Sequence, residues 1–259
     1  VKANLKEYFT NHYNTAKEIE ILYYKKQFFI FELDEFGKGG LPVGTSGEGL
    51  VLLSTGFDSP VASFFAMKRG LKLSFLHFHS YPQTLIENIE KIKLIVNILN
   101  EYNLGSKLYL MNILKIQKFY FKNIPPNYLV LFYRRTMFRL ADRLAKELGI
   151  KVLITGENLG QVASQTIENM LAIEKVTDLL ILRPLIGFDK VEIINYSKII
   201  GTEKISKLPG EDCCTLFIPK HPVIKANIEE IEKIERPLID KIKAIEDQVY
   251  KEKEIIKFD

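Results

Sequence analysis

The sequence predicts an α/β fold, a parallel sheet with helices on both faces. Two observations predict it. Short apolar runs alternate with amphipathic helical patterns through the middle of the chain, the order of elements that βαβ units produce. The composition over 259 residues, 47% hydrophobic and 26% charged, is that of a globular chain with a sizeable core,. No uncharged run approaches the roughly 18–20 apolar residues a bilayer span needs, and Val1–Thr10 lacks a signal-type apolar stretch, so a cytoplasmic, membrane-free chain is expected,. Cys213 and Cys214 are the two cysteines and adjoin in sequence, which excludes a secreted disulfide framework,.

In chain order, Asn4–Tyr13 reads as a helix with its aromatic and leucine positions on one side, and Glu20–Tyr24 and Gln27–Leu33 read as β-rich runs,. This segment is too short for a core of its own. Gly37–Gly49 contains six glycines and Pro42 and marks a boundary, placed near Leu41,. Strands are then expected at Leu50–Leu53, Lys72–Phe78, Lys107–Ile113, Lys151–Thr155 and Leu179–Arg183. Helices are expected between them at Pro60–Lys68, Thr84–Asn100, Tyr133–Leu148 and Val162–Ile173. Glu229–Lys257 alternates Glu and Lys around Ile at helical spacing, reads as a solvated helix interrupted at Pro237, and is given no catalytic role,. The chain is thus divided into residues 1–42, 43–225 and a C-terminal helical extension, 226–259.

Formal charge is +4, and residues 43–222 hold the surplus, with 22 basic against 16 acidic groups. A mildly basic face suits a polyanionic partner such as RNA or a nucleotide, and it equally suits an ordinary lysine-rich surface. Lys115–Lys122 interleaves basic and aromatic residues as strand-tracking sites do, or as any amphipathic element does,.

Ligands of such sheets gather beyond the carboxyl ends of the strands. There the run Leu50 to Ala62 passes from a strand through a small polar turn into a helix, with Pro60 in its first turn,. Successive backbone N–H groups, the Ser54 and Ser59 hydroxyls and a helix N-terminus converge in such a turn and make an anion cradle. Asp58 would repel phosphate unless a cation intervened, which suggests Mg²⁺ between them. On spacing alone the same residues also suit a plain Asp/Ser helix cap.

Ser54–Ser59 resembles the SGGxDS signature of the PP-loop ATP pyrophosphatases. Thr55 stands where that family has glycine, and a Cβ there is expected to crowd the phosphate or forbid a positive φ. GGLPVGTSG (Gly39–Gly47), HFHS (His77–Ser80), TGENLGQVASQTIENM (Thr155–Met170), RPLIGFDKVEI (Arg183–Ile193) and EDCCTLFIPKHP (Glu211–Pro222) resemble, in order and spacing, the tRNA uridine 4-sulfurtransferase (4-thiouridine synthetase, thiamine biosynthesis) branch of that class. The resemblance implies a PP-loop, adenine nucleotide alpha hydrolase-like sheet, preceded by part of a THUMP domain in residues 1–42, without the N-terminal ferredoxin-like domain.

It also implies residue roles. Ser54, Gly56 and Ser59 bind ATP phosphates beside Asp58; Leu52 and Leu53 line the adenosine side; His77 and Phe78 contact the base; Arg134, Gly156 and Gln165 border the nucleotide. Lys190, at a helix start, neutralises charge as pyrophosphate leaves, and Cys214 carries the sulfur to be transferred. Without the resemblance, His77 also reads as a core histidine, Arg135, Arg139 and Arg143 as a solvated helix stripe, Gln165 as a surface helix residue, Lys190 as a surface lysine and the cysteines as an inert pair. The implied activity is ATP- and Mg²⁺-dependent adenylation of a tRNA uridine, then persulfide transfer to form 4-thiouridine. Implied partners are tRNA and a cysteine desulfurase, and a homodimer is compatible. Two rivals are a non-catalytic nucleotide- or tRNA-binding relative with a degraded phosphate loop, and an ATP pyrophosphatase acting on another sulfur acceptor in the thiamine pathway.

Overall fold

The computed structural model describes residues 19–32, 37–210, 213, 217 and 221–259. The chain divides into two compact units, residues 1–39 and 40–259. In the first, β1 (Ile19–Tyr24) and β2 (Gln27–Glu32) form an antiparallel hairpin with Tyr24 opposite Gln27. Lys25 and Lys26 close it with φ of 49° and 63°, the positive values that let a two-residue turn follow the twist of its strands. The helix expected at Asn4–Tyr13 lies outside the described residues.

The second unit is built on a six-stranded sheet in the order β7-β6-β3-β4-β5-β8. Its strands are β3 (Glu48–Leu52), β4 (Lys72–His79), β5 (Ser106–Asn112), β6 (Val152–Ile154), β7 (Leu180–Leu182) and β8 (Glu254–Phe258). The first five pair in parallel, and β8 runs antiparallel to β5. From β3 the chain builds outward through β4 and β5, then returns to place β6 and β7 on the other side of β3. The order therefore reverses between β3 and β6, where an open α/β sheet forms its crevice.

Side-chain alternation explains why these runs are strands. Leu50, Leu76, Tyr109 and Leu153 enter one core cluster, while their neighbours Val51, Phe75, Leu108 and Ile154 enter the other. The second cluster is covered by α1 (Asp58–Lys68), α2 (Glu87–Asn103) and α6 (Lys190–Ile200). The first is covered by α3 (Leu114–Asn123), α4 (Leu129–Glu147), α5 (Ile167–Glu174), α8 (Ile228–Glu235) and α9 (Ile239–Lys251). A short α7 (Glu203–Ser206) follows α6. Among the described residues no helix is long and apolar enough to cross a membrane.

Several elements differ from expectation. The helix foreseen over Val162–Ile173 is a single 3₁₀ turn at Ala163–Gln165 followed by α5. Thr166 interrupts it, because its backbone is extended and its hydroxyl caps the Asn169 N–H,. The basic and aromatic stretch Lys115–Lys122 lies in α3, which buries Ile116, Gln117 and Tyr120. The solvated helix foreseen at Glu229–Lys257 is instead α8, a 3₁₀ turn at Arg236–Leu238, α9 and β8. Ile231, Ile242 and Val249 are buried there because the α3–α4 face of the sheet needs a cover,.

The arginine stripe of α4 is also buried rather than solvated. Arg135 and Arg139 donate to the Glu235 carboxylate at 2.7 Å each, and Arg139 Nε donates to Glu246 at 2.8 Å. Thr136 Oγ1 donates to the same Glu246 oxygen at 3.0 Å. Arg143 alone of the three stays exposed, on Asp247.

Candidate active site

The β3–α1 turn lies at the reversal of strand order. Within it the Ser54 N–H donates to Ser59 Oγ at 2.8 Å, and the two hydroxyls lie 3.1 Å apart. Ser206 Oγ donates to the Gly56 carbonyl at 3.1 Å, tying α7 to the turn. The turn leads into the α1 N-terminus, whose free N–H groups and dipole favour an anion. Thr55 has no positive φ and is 9% exposed. Its side chain is not part of the lining of the cleft described below.

Asp58 and Lys190 meet at the mouth of the turn. Lys190 Nζ lies 2.6 and 2.9 Å from the two Asp58 carboxylate oxygens, and Gln161 Nε2 donates to one of them at 3.1 Å. Lys190 opens α6 behind a capping box formed by Asp189 and Glu192, which fixes the helix start and so places the lysine.

A cleft of about 370 Å³ runs from this turn along the ends of β3 and β6. Leu52, Ser54, Asp58, Ser59, Arg134, Gly156 and Gln165 all line it. Gln165 reaches it because the 3₁₀ turn replaces the expected helix. Leu53, Gly56, His77, Phe78 and Lys190 are not part of the lining. Leu53 and Phe78 send their side chains into the two cores, and the Leu53 N–H donates to the Leu76 carbonyl at 2.8 Å. His77 is 7% exposed, with Nδ1 2.9 Å from the Leu53 carbonyl oxygen. Burial, with the neighbouring His77, lowers the His79 pKa to about 4, so that imidazole is neutral at physiological pH,. Cys214 lies outside the described residues; Cys213 is buried, and its carbonyl accepts from Gln117 Nε2 at 2.7 Å.

Glu157, Gln161 and Arg183 belong to the site without having been assigned a role from sequence. The first two fall inside the motif that contains Gly156 and Gln165, and Arg183 opens the one that contains Lys190. Glu157, 3% exposed, accepts from Arg134 Nη2, from Arg183 Nε at 2.9 Å and from Thr155 Oγ1 at 3.0 Å. Burial pushes the Glu157 carboxyl up, but Arg134 and Arg183, with hydrogen bonds from Arg183 and Thr155, outweigh it and hold the pKa below the usual range. Glu157 thereby fixes Arg134 against the cleft wall. Glu157→Gln leaves two guanidinium groups facing a neutral amide in a buried site, and is expected to destabilise the fold by about 3 kcal/mol. The urea midpoint measures this, and an unchanged midpoint would refute the clamp.

Comparison with known proteins extends this picture. The family model described as Thiamine biosynthesis protein (ThiI) matches residues 44–239. A probable tRNA sulfurtransferase of Halothermothrix orenii is 43% identical over 94% of this chain and 62% of its own length. One of Finegoldia magna is 49% identical over 78% of this chain and 52% of its own. A crystal structure of a 4-thiouridine synthetase–RNA complex with bound ATP superposes with a TM-score of 0.87 at 37% identity, covering 96% of this chain and 65% of that one. The chain therefore spans between half and two thirds of the length of these relatives. The PP-loop α/β sheet implied by the sequence is shared with that structure. Because the family match begins before the phosphate turn and ends beyond the last residue of the cleft, the chain belongs to the thiamine biosynthesis protein (ThiI) family.

Proposed function

We propose that this domain binds ATP with its phosphates against the Ser54–Ser59 turn, adenylates O4 of a tRNA uridine in the cytoplasm, and replaces that oxygen with sulfur to leave 4-thiouridine. The observation that carries this reading is the Asp58–Lys190 pair, brought together from 132 positions apart to the mouth of the turn. Similarity to the ATP- and RNA-bound synthetase over 96% of this chain supports it. In this reading Ser54, Gly56 and Ser59 receive phosphate oxygens. Leu52 and Leu53 line the adenosine side, His77 and Phe78 contact the base, and Arg134, Gly156 and Gln165 border the nucleotide from the other wall.

O4 attacks the α phosphorus, the bond to the departing pyrophosphate oxygen breaks, and the uracil N3 proton goes to solvent. Lys190, exchanging Asp58 for phosphate oxygens, offsets the charge that develops on pyrophosphate. Asp58 fits Mg²⁺: a single carboxylate beside a phosphate turn suits an ion that takes its other ligands from phosphate and water. Among the described residues no group of three or more His, Cys, Asp or Glu offers a fuller metal site. Mg²⁺ bound there would supply charge neutralisation to the phosphates. A cysteine desulfurase leaves a persulfide on Cys214, whose outer sulfur attacks C4; the C4–O bond breaks and AMP departs. A second thiol then cleaves the S–S bond, forming a disulfide and freeing the thiocarbonyl.

Lys190→Ala and Asp58→Ala are each expected to lower tRNA-dependent pyrophosphate release by about 100-fold or more, and Cys214→Ser to abolish 4-thiouridine. Pyrophosphate released without RNA dependence would point to another sulfur acceptor. None released under any condition would overturn the adenylation reading.

A further inference from the structure

Ser80 closes the HFHS motif after β4, and Gln117 lies in the middle of α3; both side chains are fully buried. Neither lines the nucleotide cleft. Ser80 Oγ donates to Gln117 Oε1 at 2.5 Å, and Gln117 Nε2 donates to the Cys213 carbonyl at 2.7 Å. Ile116 and Tyr120 of the same helix belong to the apolar core, and leucine or methionine at a buried position of such a helix would carry no hydrogen-bonding demand. A buried amide here costs free energy unless both of its ends are satisfied. The carbonyl settles which end faces which partner: it can only accept, so Nε2 must face it, and Oε1 is left for the hydroxyl, which donates,.

That carbonyl belongs to the residue bonded directly to Cys214. The chain leading to it is held upstream, where Lys91 Nζ donates to the Ser206 and Leu208 carbonyls at 3.2 and 2.7 Å. Downstream, Asn169 Nδ2 donates to the Val223 carbonyl at 2.7 Å. Gln117 grips the chain between these two anchors, 96 positions away in sequence.

We propose that Ser80 and Gln117 are a positioning pair for the sulfur-transfer half of the reaction, holding the backbone at Cys213, the residue bonded to Cys214. The proposal rests on the reading of Cys214 as the sulfur carrier. Adenylation proceeds from groups of the cleft and does not use the pair, whereas nucleophilic attack at C4 depends steeply on alignment, a displacement of about 1 Å costing on the order of 100-fold.

The test measures two products with the full-length protein, tRNA and a cysteine desulfurase: pyrophosphate, and 4-thiouridine formed per pyrophosphate. Gln117→Met keeps the side-chain volume and removes the donor. Its pyrophosphate release is expected to stay within about twofold while thiolation per pyrophosphate falls at least about tenfold. Gln117→Glu supplies a readout that simple loosening would not move. A neutral carboxyl retains a donor for the carbonyl and a carboxylate does not, so its thiolation ratio is expected to recover toward wild type as pH is lowered. Equal loss of both products in both variants, or a wild-type ratio in Gln117→Met, overturns the proposal. Cys214→Ser run in parallel separates the two layers. Thiolation surviving that change overturns the sulfur-carrier reading and the proposal with it; thiolation lost there and kept in Gln117→Met overturns the positioning role alone.

Discussion

Replacing Gly156 with alanine is expected to remove ATP binding while leaving the fold in place. An added Cβ would lie 2.5 Å from Ser59 N and 2.7 Å from the Asp58 carbonyl carbon. Both are backbone atoms of the phosphate turn and cannot rotate away as a flexible side chain would. The turn must move outward, carrying with it the N–H groups that meet phosphate. Overpacking of this kind costs about 1–3 kcal/mol in stability. The functional cost is expected to be larger, because oriented donors lose their value when displaced by about 1 Å. Nucleotide affinity measured by calorimetry should fall at least about 100-fold, and pyrophosphate release with it. Wild-type affinity in Gly156→Ala would mean that the phosphates lie elsewhere.

The largest loss of stability is expected from Glu235→Ala. This carboxylate is 6% exposed and pairs with both Arg135 and Arg139, so its removal leaves the buried Arg135 without a carboxylate and Arg139 with Glu246 alone. Breaking one side of a buried ion pair costs about 3–5 kcal/mol. By contrast, Glu235→Leu combined with Arg135→Met should cost much less than the sum of the two single changes, because no charge is then left without its partner. Burial pushes the Glu235 carboxyl up, but hydrogen bonds and charge from Arg135 and Arg139 win and hold it below its ordinary value of 4.5. With the folded pKa depressed, the stabilisation is complete at pH above the ordinary carboxylate value and is lost as pH falls through the folded one. Urea midpoints for wild type should thus drop below about pH 4.5, and the drop should shrink in the double variant. An equal acid sensitivity in both proteins would exclude Glu235 as its source.

How much of this site can be read in sequence depends on how local its chemistry is. Ser54–Ser59 is legible because the strand, turn and helix start that make an anion cradle are contiguous. The start of α6 is legible for the same reason, since Asp189 and Glu192 cap it within one turn. That Lys190 then reaches Asp58 is not legible, because the contact forms only once α6 packs beside α1. Arg135 and Arg139 show the limit most clearly. Their four-residue spacing is identical on a solvated stripe and in a buried network, and what distinguishes the two is the pair of carboxylates supplied by Glu235 and Glu246 about a hundred residues later.

By itself, then, the sequence determined the alternation of strand and helix, the phosphate turn and the family to which they belong, since each follows from neighbouring residues and their periodicity. Only the tertiary structure decided that the Glu- and Lys-rich C-terminal region covers the core and adds an antiparallel edge strand, that Gly156 must be glycine, and that Glu157 holds Arg134. The reason is that the free energy of a charge, or of one extra methyl group, depends on what stands against it in space.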